Sequence, residues 1–242
     1  MTDELDLAYA MDPDGAADFL IRDGLETHVG GCLPRKWVPE ASPFPVWGSD
    51  DTVPMVPKAE WVEGESLRGY ETWTRDVNQN GYPACCLASL ANAMQFAMVR
   101  DGRPEVDLDW LAAWRKLSGG RGGVALDDAA AFVMDKGFPR LDGNGTVRIS
   151  EAWDCPSVEA LASALQRGAL CTFGHSVHAE HASRLVKQSG VWMLDVRNSW
   201  GRDWGDNGWH LLPLSQVEMR YSIIAIRELA FTDDLGTWKD VT

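Results

Sequence analysis

The sequence predicts an α+β protein of two lobes, a helical lobe followed by a β lobe, with a cleft between them. Three observations predict it. Apolar residues recur at helical spacing through four segments between positions 84 and 166, and the period then shortens to that of strands. A proline-dense stretch precedes both, so residues 1–66 separate as an arm from a body of residues 67–242.

Within the arm, Pro34, Pro39, Pro43, Pro45, Pro54 and Pro57 lie amid acidic and aromatic residues, with one short helical candidate near Ala16–Arg22. Proline at that density excludes helices and central strands. The arm is therefore extended: a linker, a propeptide, or a strap on this body or on a partner.

The helical lobe spans about residues 67–168. Its first helix, Ala84 to about Arg100 (ACCLASLANAMQFAMVR), is apolar almost all round, the pattern of a buried helix. Asp107–Lys116 opens with acids suited to a helix N-terminus. Leu126–Lys136 closes on Gly137, and Ser157–Gln166 opens on Ser157 as N-cap. The β lobe, about 169–230, begins with Ala182–Lys187 and Val191–Val196, joined by Gln188-Ser189-Gly190 as a hairpin turn. His210–Leu212 and Tyr221–Leu229 continue in β character.

The chain of 242 residues carries a net charge of −14 and shows no Lys/Arg stripe, which argues against nucleic-acid binding. No apolar run approaches the ~20 residues of a membrane-spanning helix, and no signal peptide is visible. Five cysteines without framework spacing are expected as reduced thiols, which points to a cytoplasmic protein.

The chemistry starts at Cys85. A thiol at a helix N-terminus has its pKa lowered by the dipole and the free N–H groups. Such a nucleophile needs a base, and the base an orienting partner. His181 begins one strand of the predicted hairpin and Asn198 ends the other, so antiparallel pairing sets them side by side. Cys85 as plain core is the bland alternative. Three further features are set aside. His175, His178 and His181 lack the fourth ligand and geometry of a zinc site, which leaves His175 and His178 as loop or cleft-rim residues. Gly119–Gly123 lacks the ending of a phosphate loop. Asp203 and Asp206 read as a solvated turn and not a calcium site.

The segment NQNGYPACCLAS, the Gly122-Gly123 segment with its following helix, His181-Ala182 before a strand, and RNSWGRDWGDNGWHLL (Arg197–Leu212) stand in the order found in the papain-like cysteine peptidases. The chain resembles that family over roughly residues 70–228. The resemblance implies the papain-like two-lobe fold and a cysteine peptidase acting on peptide or isopeptide bonds without a cofactor. It implies Cys85 as nucleophile, His181 as base, Asn198 as orienter and Gln79 as oxyanion donor, with Trp200 shielding the His–Asn bond and Gly122 and Gly123 lining the substrate cleft. Cys86 stands where the family has a bulky Trp, but only Cys85 keeps the six-residue step from Gln79 and sets small Ser89 into the buried helix. Tyr82 stands where the family often has a disulfide cysteine, no pro-region signature is evident in the arm, and the short stretch from Leu170 to His181 trims one cleft wall. Two rival readings use the same scaffold: a silent or masked assembly protein docked through its arm, as in a bacteriophage virion, and an amidase or acyl transferase acting on a cell-wall peptide.

Overall fold

The computed structural model describes residues 31–35, 42–50, 52–70, 76–103, 106–175, 177–232 and 238–240; the helical candidate near Ala16–Arg22 lies outside them. In chain order the elements are β1 (Cys32–Leu33), α1 (Cys85–Arg100), α2 (Trp110–Ser118), β2 (Val124–Ala125), α3 (Leu126–Asp135), β3 (Phe138–Pro139), β4 (Thr146–Asp154), α4 (Val158–Gln166), β5 (Leu170–His175), β6 (His178–Gln188), β7 (Val191–Arg197), β8 (Trp209–Pro213), β9 (Ile223–Thr232) and β10 (Trp238–Asp240). The α+β expectation holds.

The four helices start where their sequences allow it. Asp109 caps α2 by accepting from the Ala112 N–H, and Gly119 ends that helix at φ 70°. Ser157 caps α4 through the Ala160 N–H. Helix α1 is buried from Cys85 through Met98, which explains why it shows no polar face.

One antiparallel sheet runs β3-β4-β9-β5-β6-β7-β8, with β10 added on β9. Alternate residues of its central strands face two different cores. Leu170, Ala179, Ile224 and Ile226 pack with α1 and α3. Cys171, Phe173, Ala182, Ile223 and Ala225 pack with α4 and with Trp47, Val53 and Trp61. A sheet covered on both faces gives near-continuous apolar strands, which is why β5 and β9 lack the clean alternation of a half-exposed strand.

The hairpin between β6 and β7 is tighter than the predicted three-residue turn. Gln188 pairs with Val191, leaving Ser189 (φ 49°) and Gly190 (φ 83°) as a two-residue loop of the left-handed kind that twisted hairpins prefer. Strand β6 also starts earlier than the sequence indicated, at His178 and not in the region of Ala182. That shift decides which histidine reaches the cleft.

The described parts of the arm lie on the body. Trp47 is buried and donates its indole N–H to Ser163 Oγ at 3.2 Å, and Val46 bridges to Asp154. Arg35 pairs with the buried Asp154 carboxylate at 2.5 Å. Cys32–Leu33 forms a parallel pair with Val124–Ala125. All five cysteines are free and buried. Among the described residues, no helix is long and apolar enough to cross a membrane.

Candidate active site

Cys85 is the first residue of α1, so its thiol stands where the free N–H groups of the helix gather. The turn before it is tight: Gln79 accepts from Tyr82 N–H, and Asn80 and Gly81 both have positive φ. Gln79 is wholly buried and held at three points. Its side-chain amide donates to Tyr82 O at 2.8 Å, its carbonyl accepts from Ser199 Oγ at 2.8 Å, and its backbone N–H donates to Ser199 O. Ser199 follows Asn198, so one short bridge ties the turn before Cys85 to the end of β7.

The imidazole facing this thiol belongs to His178. Its Nε2 lies 2.9 Å from Asn198 Oδ1, and its Nδ1 makes no hydrogen bond of ordinary geometry among the described residues. That leaves Nδ1 for the thiol. Burial raises the Cys85 pKa, but interactions with Cys86, with the His178 imidazole and its charge, and with the Ala179 N–H more than offset it, to about 5. His178 moves the other way. Burial alone would lower its pKa, yet Cys85, the Glu180 charge and Asn198 raise it above the usual histidine value. The two opposed shifts favour the thiolate–imidazolium form of the pair over the neutral one.

His181, the expected base, is corrected by this geometry. Side chains alternate along a strand, so His178 and Glu180 share one face while Ala179 and His181 take the other. His178 and Glu180 both reach Asn198, and His181 packs on Phe96 of α1 with ring centroids 5.8 Å apart. Burial and the Arg197 and Arg100 charges hold the His181 pKa at about 3. A base that weak cannot take the proton of a thiol. His178, set aside from the sequence as a loop or rim residue, is the first residue of β6 and only 5% exposed. The signal was available twice, because His178-Ala179 and His181-Ala182 are both His-Ala pairs. Only the place where the strand begins separates them.

Trp200 stacks on the His178 ring at 4.5 Å and 29°, covering its hydrogen bond to Asn198. Trp204 meets Trp200 edge-on at 5.3 Å and His210 edge-on at 5.1 Å. A glycine of the same segment has a steric reason: a Cβ on Gly208 (φ 85°) would lie 1.4 Å from Arg197 Nη1. Beyond Asn198, its Nδ2 donates to Glu180 Oε1 at 2.9 Å, and the same oxygen lies 2.9 Å from His210 Nε2. No sequence argument singled out Glu180 or His210.

Gly122 adopts φ 61° and its carbonyl accepts from the Trp114 indole at 3.2 Å. Gly123 lines an open groove of about 640 Å³ with Leu33, Val124, Ala125 and Phe132. The cleft itself is occupied. Gly31 and Cys32 donate their N–H groups to Val177 O at 2.8 and 2.9 Å, and Val124 N–H donates to Gly31 O at 2.9 Å. A Cβ at Gly31 would come 2.3 Å from Pro83 O, so only glycine allows the arm this close to the turn before Cys85. Cys32 and Cys85 have no exposed surface. Among the described residues no group of three or more His, Cys, Asp or Glu side chains could hold a metal ion.

The molecule thus has the papain-like fold, a helix-borne thiol set against a β-borne imidazole and amide. No protein-family model matches the sequence, and no curated protein matches it by sequence. Solved structures do. Procathepsin L2 from the larval midgut of Tenebrio molitor superposes with a TM-score of 0.63 at 12% identity, covering 90% of this chain and 90% of that one. Procathepsin B S9 from Trypanosoma congolense gives 0.60 at 14%, covering 81% and 85%. Bromelain from Ananas comosus, in complex with the inhibitor E64, gives 0.53 at 19%, covering 72% of this chain and 100% of that one.

Proposed function

We propose that the protein is a cysteine peptidase hydrolysing peptide or isopeptide bonds, with Cys85 as nucleophile, His178 as base, Asn198 as orienter and Gln79 as oxyanion donor. The observation that carries the reading is the opposed pKa displacement of Cys85 and His178, with Asn198 2.9 Å behind the imidazole. In the reaction Cys85 Sγ adds to the scissile carbonyl carbon. The oxyanion takes hydrogen bonds from the Gln79 amide and the Cys85 backbone N–H. His178 gives its proton to the leaving amine, then takes one from the water that hydrolyses the thioester.

A second reading has its own observation. The arm residues Gly31–Leu33 span the cleft from Val177 to Val124 over a thiol with no exposed surface, as a masked scaffold would have it. One experiment separates the two. The full chain is treated with iodoacetamide near pH 6 and the modified cysteine mapped by mass spectrometry, with buried Cys155 as internal reference. Labelling at Cys85 well ahead of Cys155, lost in His178→Ala and kept in His181→Leu, supports the peptidase. Labelling of Cys85 no faster than Cys155 sinks that reading and leaves the scaffold.

A further inference from the structure

The buried polar groups around Asn198 do not end with the triad. Glu180 is 3% exposed, its Oε1 accepts from Asn198 Nδ2 at 2.9 Å, and His210 Nε2 meets the same oxygen at 2.9 Å. A side-chain amide looks nearly the same when turned by half a revolution, and an imidazole partner alone does not fix it. A carboxylate does, because it can only accept. With Glu180 behind it, Asn198 must point its NH2 at Glu180 and therefore its Oδ1 at His178. His178 must then carry its proton on Nε2, which frees Nδ1 for the thiol when the ring is neutral. The far end of the chain is the partly exposed His210, held edge-on by Trp204.

We propose that Glu180, braced by His210, is a positioning residue that sets the orientation of Asn198 and backs the His178 imidazolium with a negative charge. This rests on the peptidase reading of Cys85 and His178. Two further observations agree with it. Glu180 lies on the same strand face as His178, two residues on, so no loop movement can separate them. Burial would raise the Glu180 pKa, but His210, His178 and His175 outweigh it and keep the carboxyl below its usual value, so it is charged when the pair is formed. The ionisable groups facing this carboxylate are accordingly His178 on its own strand, His175 on β5 and His210 on β8, with Cys85 on α1 beyond the imidazole.

The test reads the imidazolium directly and needs no access to the cleft. The ring-proton resonance of His178, assigned by its loss in His178→Gln, is titrated against pH in the full chain for wild type, Glu180→Gln, Glu180→Leu, His210→Gln and His210→Leu. Far-ultraviolet circular dichroism establishes that each variant is folded. Glu180→Gln keeps an acceptor for Asn198 and removes the charge, so the His178 midpoint should fall by about one pH unit. Glu180→Leu, which removes the acceptor as well, should lower it further. His210→Gln, which keeps a donor, should recover part of the fall seen in His210→Leu. A purely structural carboxylate would lower the melting temperature and leave the midpoint in place. Folded Glu180→Gln with the wild-type midpoint overturns the inference while the peptidase reading stands. A wild-type His178 that titrates at or below the ordinary histidine value overturns both.

Discussion

At the scale of single residues, the site separates groups that react from groups that merely sit nearby, and each can be tested apart. On the proposed peptidase reading, Gln79→Ala removes an oxyanion donor, which matters only where a tetrahedral intermediate forms. Hydrolysis of a fluorogenic peptide library should fall by about 10²–10³-fold, whereas alkylation of Cys85, which has no oxyanion, should keep its rate. His181 makes a different prediction. The unfolded chain binds its proton near 6.5 and the folded one only at about 3, so between those values the unfolded state holds more protons and stability falls as pH falls. The slope from this one group reaches about 1.4 kcal/mol per pH unit. Denaturant titrations of His181→Leu from pH 7 down to 4 should show a flatter acid limb than wild type. The residues legible from sequence were those tied to local spacing, Cys85 at the start of its helix and Gln79 six before it. The histidine was not, because two identical dipeptides stood three residues apart and their difference is one of strand parity.

At the scale of elements, the arm is the feature with most leverage. Its grip on the cleft includes three backbone hydrogen bonds, the parallel pairing of Cys32–Leu33 with Val124–Ala125, and a glycine that no other residue can replace without displacing Pro83. Gly31→Val should lift the β1 segment from Val124 and Val177 and speed iodoacetamide labelling of Cys85 by about tenfold or more, since local opening with a free energy near 1.4 kcal/mol sets that factor. Equal labelling in Gly31→Val and wild type would show that the segment is not what covers the thiol. The sequence announced an extended arm through its prolines and could not announce its destination. Nothing in Gly31-Cys32-Leu33 differs from any other extended tripeptide; the partners lie about 90 and 145 residues further on. The helices, by contrast, were readable because caps and apolar periods are local, as Ser157 and Gly137 show.

For the molecule as a whole, one sheet serves two cores, with α1 and α3 on one face and α4 with the arm tryptophans on the other. Strands β5 and β9 contribute to both, so neither core can open without the other losing its floor. We expect a single cooperative transition. Tryptophan fluorescence should coincide with far-ultraviolet circular dichroism through urea unfolding, because Trp114 and Trp209 report one core and Trp47, Trp61 and Trp153 the other. Leu90→Ala on α1 and Leu161→Ala on α4 should each cost about 2–5 kcal/mol and move both signals together. Separate midpoints would contradict the shared sheet.

The path of β1 also has a meaning in time. A ribosome adds about 5–20 residues each second, so Cys32 waits roughly 7–30 s after its own synthesis before Val177, the later of its two anchoring segments, exists. Asn198 and His210 are made later still. Any nascent chain long enough to contain Asn198 therefore already contains the covering segment Gly31–Leu33 and both of its anchors, so that segment is at hand whenever the sheet closes around Cys85.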